Sequence, residues 1–359
     1  MSYYNEVNEF NEFNECQEMN NGYDDKNIII QKALQKNSEC DMKDMVFEYL
    51  PIEMSKNIFI KKLDISESCV ISLINLPPNL EELVAINNDI EEIDDSILPK
   101  SLRVINVKNN SIKKINLQNS INLVKLICEN NPIKTLLLPK TLKACSITSQ
   151  ILDLKDFEAM ENLIVVKITK SNITNLKALS QNVKQLVIIN SQINCDFPLF
   201  SSNLHRLDII NCNINSTFNF PESLAVLDLS DNKLSGSFVI PSSVIDLNIS
   251  NNNITKLENI HSNLHKLNIS NNDNIDITDE QLLVLKQNEC NLIHDENTHN
   301  DIDHNFHKMR MFSEQERRQR EIHEMMMRHK QLLQSANRNI ETFTPSSSNK
   351  IIINKFCSV

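Results

Sequence analysis

LAVLDLSDNKLSGSFVIPSSVIDLNISNNNITKL, residues 224–257, is the stretch whose reading decides the fold. Within it the pattern LxxLxLxxNxL is written by Leu224, Leu227, Leu229, Asn232 and Leu234. It is written again twenty residues later by Val244, Leu247, Ile249, Asn252 and Ile254. Self-similarity at a fixed period of about 20–29 residues marks a solenoid, in which each unit covers the apolar side of its neighbour.

Working outward in both directions, the register finds eleven copies, starting at Ile60, Leu80, Leu102, Leu123, Leu142, Leu163, Val183, Leu204, Leu224, Val244 and Leu264. Successive starts lie 20, 22, 21, 19, 21, 20, 21, 20, 20 and 20 residues apart. The asparagine column reads Ser68, Asn88, Asn110, Asn131, Gln150, Ser171, Ser191, Cys212, Asn232, Asn252 and Asn272. Chance does not hold five positions in step over so long a stretch. Within each LxLxx, alternate side chains point to opposite faces of a strand, so Leu227 and Leu229 turn inward while Val226, Asp228 and Ser230 face out. An amide buried without partners costs roughly 1–3 kcal/mol. The ladder Asn88, Asn110, Asn131, Asn232, Asn252 and Asn272 is therefore expected to bond backbone groups of the turns above and below. About ten residues per unit remain for the return path. That is too few for a long helix, so extended or short 3₁₀ segments are expected there.

On these residues the chain resembles the leucine-rich repeat family, and in particular the short, proline-punctuated repeats of bacterial effector proteins, roughly LPxxLxxLxVxxNxLxxL. The matching pieces are LPPNLEEL at 76–83, LPKSLRVI at 98–105, LPKTLKAC at 138–145, FPESLAVL at 220–227 and IPSSVIDL at 240–247. The chain departs from the pattern at Gln150 and Cys212, and in the irregular copy ILDLKDFEAM after Gln150. The resemblance implies an α/β-type leucine-rich repeat solenoid: a curved parallel sheet with one short strand per repeat, a mostly extended convex side, a helical N-terminal cap and a C-terminal helix. Some effectors of this kind carry a C-terminal ligase domain with a catalytic cysteine. Only about 80 residues follow the repeats here, with Cys290 and Cys357 as the only candidates, so that domain is not expected.

The reading divides the chain as follows. Residues 1–27 form an acidic segment of triplets (NEV, NEF, NEF, NEC, QEM) that builds no lasting helical face and is expected to be disordered. Residues 28–57 form the helical cap, 58–277 the repeats and 278–291 the far cap, with Leu282, Leu283 and Leu285 covering the last layer. A polar, His-rich linker occupies 292–312; of its His294, His299, His304 and His307 only the last two share a helical face, at i, i+3, which favours a plain linker over a weak metal site. An amphipathic helix follows at 313–338, opened by the capping box Ser313/Glu316 and suited to packing on the chain, to a partner or to a coiled coil. The tail runs from 339 to 359.

Composition removes several function classes. Net charge is −11, against a general affinity for nucleic acid. Only two glycines occur, Gly22 and Gly236, and neither lies in a phosphate-cradling motif, so no cofactor is expected. No apolar stretch is long enough to span a membrane and the start, MSYYNEVNEF, lacks the pattern of a secretory signal. Nine cysteines, three of them (Cys128, Cys145, Cys212) on core positions, suit a reducing compartment, so a cytoplasmic location is expected, in a host cell if the protein is viral or an effector. Abundant Asn, Ile and Lys suits an AT-rich genome, such as those of amoebae, their giant viruses or some intracellular bacteria.

The candidate partner-binding face is the concave one: Val165, Lys167, Val187, Ile189, Arg206, Asp208, Ile210, Asp228, Asn248 and Asn268. Val165, Val187, Ile189 and Ile210 are read as an exposed apolar patch, and Val84, Ile86, Val104 and Ile127 as a second. The outward charges Lys62, Asp64, Glu82, Lys108, Lys125, Glu129, Lys167, Arg206, Asp208, Asp228, Asp246 and Lys266 balance, six of each sign, which argues against a nucleic-acid groove. Asp208 and Asp228 would stand about 5 Å apart on neighbouring strands, but as solvated aspartates in a wet concavity they are not read as catalytic. The chain is thus read as a non-enzymatic protein–protein interaction scaffold or effector with an unknown protein partner, a host protein if the chain is viral or an effector. Two alternatives are a ubiquitin-ligase adaptor, from the weakly F-box-like LPIEMSKNIFI at 50–60, and a structural virion component.

Overall fold

A computed structural model describes residues 22–294 except 151, 154–156, 158–159, 177–178, 198–199 and 274. The sequence readings of residues 1–21, most of the His-rich linker, the 313–338 helix and the tail therefore lie outside the described residues.

The apolar alternation of each repeat produces one short strand, and thirteen strands form a single parallel sheet in chain order. The register is uniform: Leu207 pairs with Leu227, Leu227 with Leu247 and Leu247 with Leu267. Because every strand enters at the same point of the repeat, like residues stack into columns. The inward columns Leu63, Leu83, Ile105, Leu126 and Ile65, Ala85, Val107, Cys128 are almost wholly buried, as are their successors. A close-packed apolar spine thus runs through the stacked layers, each residue burying the one before it.

The ladder is built as the amide chemistry requires. Asn252 Nδ2 donates to the carbonyls of Leu229, Ile249 and Ser250, and its Oδ1 accepts from Leu234 N at 3.0 Å. Asn110, Asn131, Asn232 and Asn272 repeat this pattern, each bonding its own turn and the layer before it. Asn88 does likewise, accepting from Ser68 N and Val70 N and donating to Ile65 O. One position of the column is corrected. Gln150 is exposed, and the buried place is taken by Ser149, whose N–H donates to Ser171 Oγ. Leu142 stands seven residues before Ser149, where eight separate Leu224 from Asn232, and a register shift between Cys128 and Ile133 on the adjoining strand absorbs the slip. Ser171 and Ser191 continue with single hydroxyls where an amide stands elsewhere.

With so little glycine, the residue before most ladder positions takes the left-handed turn, the Ser149 layer being the exception. Asn87, Asn109, Asn130, Asn190, Asn211, Asn251 and Asn271 all have φ between 51° and 56°. Asparagine tolerates that region better than most L residues. These amides also bond one another: Asn109 donates to Asn87 (2.6 Å), Asn130 to Asn109 (2.8 Å), Asn211 to Asn190 (2.8 Å) and Asn271 to Asn251 (2.6 Å). This second, outer asparagine ladder was not part of the sequence reading.

The return side is extended, with three small parallel sheets among the described residues. They are formed by Glu92–Asp94, Lys114–Asn116 and Thr135–Leu137; by Leu152–Asp153, Asn172–Asn175 and Gln192–Ile193; and by Ser235–Val239 with Asn253–Glu258.

Both ends differ from the expected caps. The N-terminal helix is Gly22–Leu34, starting before residue 28, with Ile29 and Ala33 buried. The rest of the expected helical cap holds the strand Glu39–Asp41, which pairs with Lys62–Asp64 and extends the sheet, and a 3₁₀ turn, Ile52–Lys56, with Met54 buried. At the far end Asp279–Gln287 forms the capping helix, opened by a Thr278/Gln281 capping box. Leu282 and Leu285 are buried but Leu283 is exposed, contrary to the reading, because it turns away from the last layer. A final strand, Asn291–Ile293, then pairs with Lys266–Asn268.

Candidate functional site

The outward face of the thirteen-stranded sheet carries three side-chain columns, and its middle layers bring together the residues expected to bind a partner. Val165, Val187 and Gln185 stand near strand starts or centres; Lys167, Asp208, Asp228, Asn248 and Asn268 share the central column; Ile189 and Ile210 lie at strand ends. Parallel pairing places Lys167 beside Val187, Val187 beside Asp208, and Ile189 beside Ile210.

The apolar groups expected to be exposed are half-buried. That holds for Val165, Val187, Ile189 and Ile210, and equally for Val84, Ile86, Val104 and Ile127. Neighbouring side chains about 4.8 Å away on either strand cover the flanks of each one. What remains open is the tips, an apolar floor flanked by charges.

Two carboxylates on this face are buried: Asp208, expected to be solvated, and Glu129, expected among the outward charges. Glu129 takes Lys167 Nζ at 2.8 Å and Lys108 Nζ at 3.6 Å, and accepts a hydrogen bond from Ser146 Oγ. Burial pushes its carboxyl upward, but the Lys167 and Ser146 hydrogen bonds and the two ammonium charges outweigh that and leave it below its ordinary value. Asp208 is only 3 % exposed. Its Oδ2 accepts from Arg206 Nε (2.9 Å) and Nη2 (2.8 Å), while Oδ1 has no hydrogen-bond partner. The reason lies two residues on. Asp228, Asn248 and Asn268 each accept through Oδ1 from the N–H and hydroxyl of Ser230, Ser250 and Ser270. After Asp208 that place is held by Ile210, which has no hydroxyl. Burial raises the Asp208 carboxyl; Arg206 pulls it back only in part, and Asp228 and Asp246 add to the rise. Ser230 itself, read as outward, is buried beneath Asp228. Asn248 Nδ2 donates to Asp228 Oδ2 at 3.0 Å, tying the polar half of the face together.

No group of three His, Cys, Asp or Glu suited to a metal ion occurs among the described residues. The cysteine thiols at Cys128, Cys145, Cys212 and Cys290 are pushed up by burial, Cys145 to about 12, and so are poor nucleophiles. No described helix is long and apolar enough to cross a membrane.

No protein-family profile matches the chain, and no curated protein matches it in sequence. Solved structures do match. An internalin from Listeria monocytogenes superposes with a TM-score of 0.51 at 18 % identity, over 76 % of this chain and 93 % of its own. A chain of the octameric complex of Latrophilin 3, Unc5D and the leucine-rich repeats of FLRT2 gives 0.53 at 17 % identity, over 72 % and 83 %. The fold is a leucine-rich repeat solenoid. YopM from Yersinia pestis matches at 20 % identity over 69 % of this chain and 82 % of its own; its TM-score of 0.49 adds nothing to that statement. On the strand face of this solenoid the Val187–Ile210 floor lies mid-array.

A row that the sequence reading passed over is the one just before each strand. Arg103, Val124, Lys143, Ile164 and Lys184 stack there, and a concavity of about 560 Å³ opens beside Arg103, Ile121, Val124 and Lys143. The repeat register marks this row as the second residue of each LxxL, so its signal was present in the alignment of copies.

Proposed function

We propose that this chain is a non-enzymatic protein-binding scaffold that takes its partner on the strand face, centred on Val187, Ile189 and Ile210. The observation that carries the reading is the pairing of that half-buried aliphatic floor with Asp208, whose buried Oδ1 lacks a donor. A partner that lays apolar side chains on the floor and brings an N–H or ammonium to Asp208 satisfies both at once. The ladders hold the face rigid, so little conformational entropy is lost on binding. The matched FLRT2 repeats sit in a multi-protein complex, which fits this use of the fold. Location in a reducing, cytoplasmic compartment suits Cys40, Cys128, Cys145, Cys212 and Cys290, which form no disulfide.

The adaptor reading has one observation in its favour. Tyr49, Ile52, Ile58 and Phe59, around the F-box-like piece, are exposed and offer a second surface at the N-terminal end.

The test uses the full chain with Val187→Asp and Ile210→Asp as bait beside the wild type. Because Val187 stands beside the buried Asp208, folding of the double variant is checked by circular dichroism, and Val187→Ser with Ile210→Ser serves as the milder second variant. The proposal expects proteins co-purified by the wild type to be lost from the variant; retention by a folded variant overturns it.

A further inference from the structure

The row before the strands differs in character from the balanced strand face. Val124 N donates to Arg103 O (2.8 Å), Lys143 N to Val124 O (2.9 Å), Ile164 N to Lys143 O (2.8 Å) and Lys184 N to Ile164 O (2.9 Å). These five residues therefore stack one strand apart. Cation and aliphatic alternate, with cations at every second strand, about 9.6 Å apart. Neither this row nor the adjoining first residues of the strands holds an acid between Glu82 and Asp246. Lys125 adds a further cation there.

Arg103 lies next to Glu81 and its charge acts on that carboxylate, but Glu81 takes its ion pair from the other side. Lys61 pairs with Glu81, Lys108 and Lys167 with Glu129, Arg206 with Asp208 and Lys266 with Asp246. Arg103, Lys125, Lys143 and Lys184 are exposed and make no ion pair among the described residues.

The chain carries the complementary pattern. Glu6, Glu9, Glu12, Glu15 and Glu18 recur every third residue, each followed by an apolar group: Val7, Phe10, Phe13, Cys16 and Met19. A chain with three residues per turn in the extended, polyproline-type conformation advances about 9.3 Å per turn and keeps every third side chain on one face. That spacing fits a row whose cations and aliphatics each recur at about 9.6 Å.

We propose that residues 4–19, which lie outside the described residues, dock within the same molecule along the Arg103–Lys184 row. Glutamates meet Arg103, Lys143 and Lys184, and the apolar residues of the triplets meet Val124 and Ile164. The reach suffices. Ten residues separate Glu12 from Gly22, the first residue of the N-terminal helix, and they span up to about 33 Å. Arg103 precedes the fourth strand of the sheet, only about 14 Å along from the first. Nucleic acid is the weaker occupant: the chain is acidic overall, and the row interleaves aliphatic groups, with no aromatic ring for a base to stack on. This docking is independent of the partner face proposed above, since it uses a different column.

The test is zero-length carbodiimide cross-linking of the full chain in an equal mixture of ¹⁴N- and ¹⁵N-labelled protein, read by mass spectrometry. The expected result is glutamates of 4–19 joined to Lys125, Lys143 or Lys184 of the same isotope, lost in high salt. A parallel digest with a glutamate-specific protease compares wild type with the Arg103→Glu, Lys143→Glu, Lys184→Glu variant. Cleavage after Glu6, Glu9 and Glu12 should be at least about tenfold faster in the variant, the scale of a few screened ion pairs. Equal cleavage rates in two folded proteins overturn the proposal. So do cross-links scattered over other lysines, or cross-links only between isotopes, which make a second copy the occupant. Tight single-stranded DNA binding that is lost in the triple variant, with no 4–19 cross-links in the wild type, likewise assigns the row to nucleic acid. Should the variant not fold, the wild-type cross-links decide alone.

Discussion

A single side-chain amide does the work of four hydrogen bonds in each regular layer, and the cost of losing it is set by what it leaves buried. Asn252→Ala strands three carbonyls and the Leu234 N–H, so a loss of about 2–3 kcal/mol in urea unfolding is expected. Asn252→Ser should cost less, because Ser171 and Ser191 hold the same place with one hydroxyl. Asp208 gives the opposite sign. Its folded-state carboxyl is raised above the unfolded one, so its contribution to stability is fully present at low pH and is lost as pH rises through the folded value. Asp208→Asn removes the stranded charge, and its amide can donate toward Asp228 as Asn248 does from the other side. The variant should be about 1 kcal/mol more stable than wild type at pH 7, the scale of one unsatisfied buried group. The difference should close as pH falls below the ordinary carboxyl range near 4. Paired urea titrations at the two pH values check it.

Between elements, the strands at Lys125–Ile133, Ala144–Ser149 and Val165–Thr169 are tied by Glu129 as well as by the ladder. Lys167→Met leaves Glu129 with only the more distant Lys108 at 3.6 Å and the Ser146 hydroxyl. A destabilisation of about 2 kcal/mol is expected, as for a charged hydrogen bond lost beneath a surface. Because Glu129 is held below its ordinary value, that difference should shrink as pH falls and the carboxyl protonates. This is also the region where the sequence is least legible. The strand register could be read because Leu, Ile and Val recur at fixed offsets. The Ser149-for-Gln150 slip could not, since a ladder position one residue early looks the same until its neighbour absorbs the shift. Asp208 misled for a similar reason: its burial depends on Arg206 and Ile210 around it, whereas alternation tells only which face it is on. The strand Glu39–Asp41 lacks the repeat pattern altogether and is a strand because an open sheet edge lay beside it.

For the whole molecule, local patterning and global fold agree: apolar alternation, left-handed asparagines and amide ladders all specify the same stacked layers. Such an array is rigid across its strand face, and the proposed function depends on that rigidity being used on one side only. The most direct measurement places a photo-activated cross-linking amino acid at position 187 on the strand face, or at position 239 on the return side, in the full chain inside cells. Val187 is half-buried in the floor, and Val239 is exposed on the opposite surface. The account predicts a discrete protein adduct from position 187 that is absent from position 239. Adducts from position 239 with none from position 187 would contradict it.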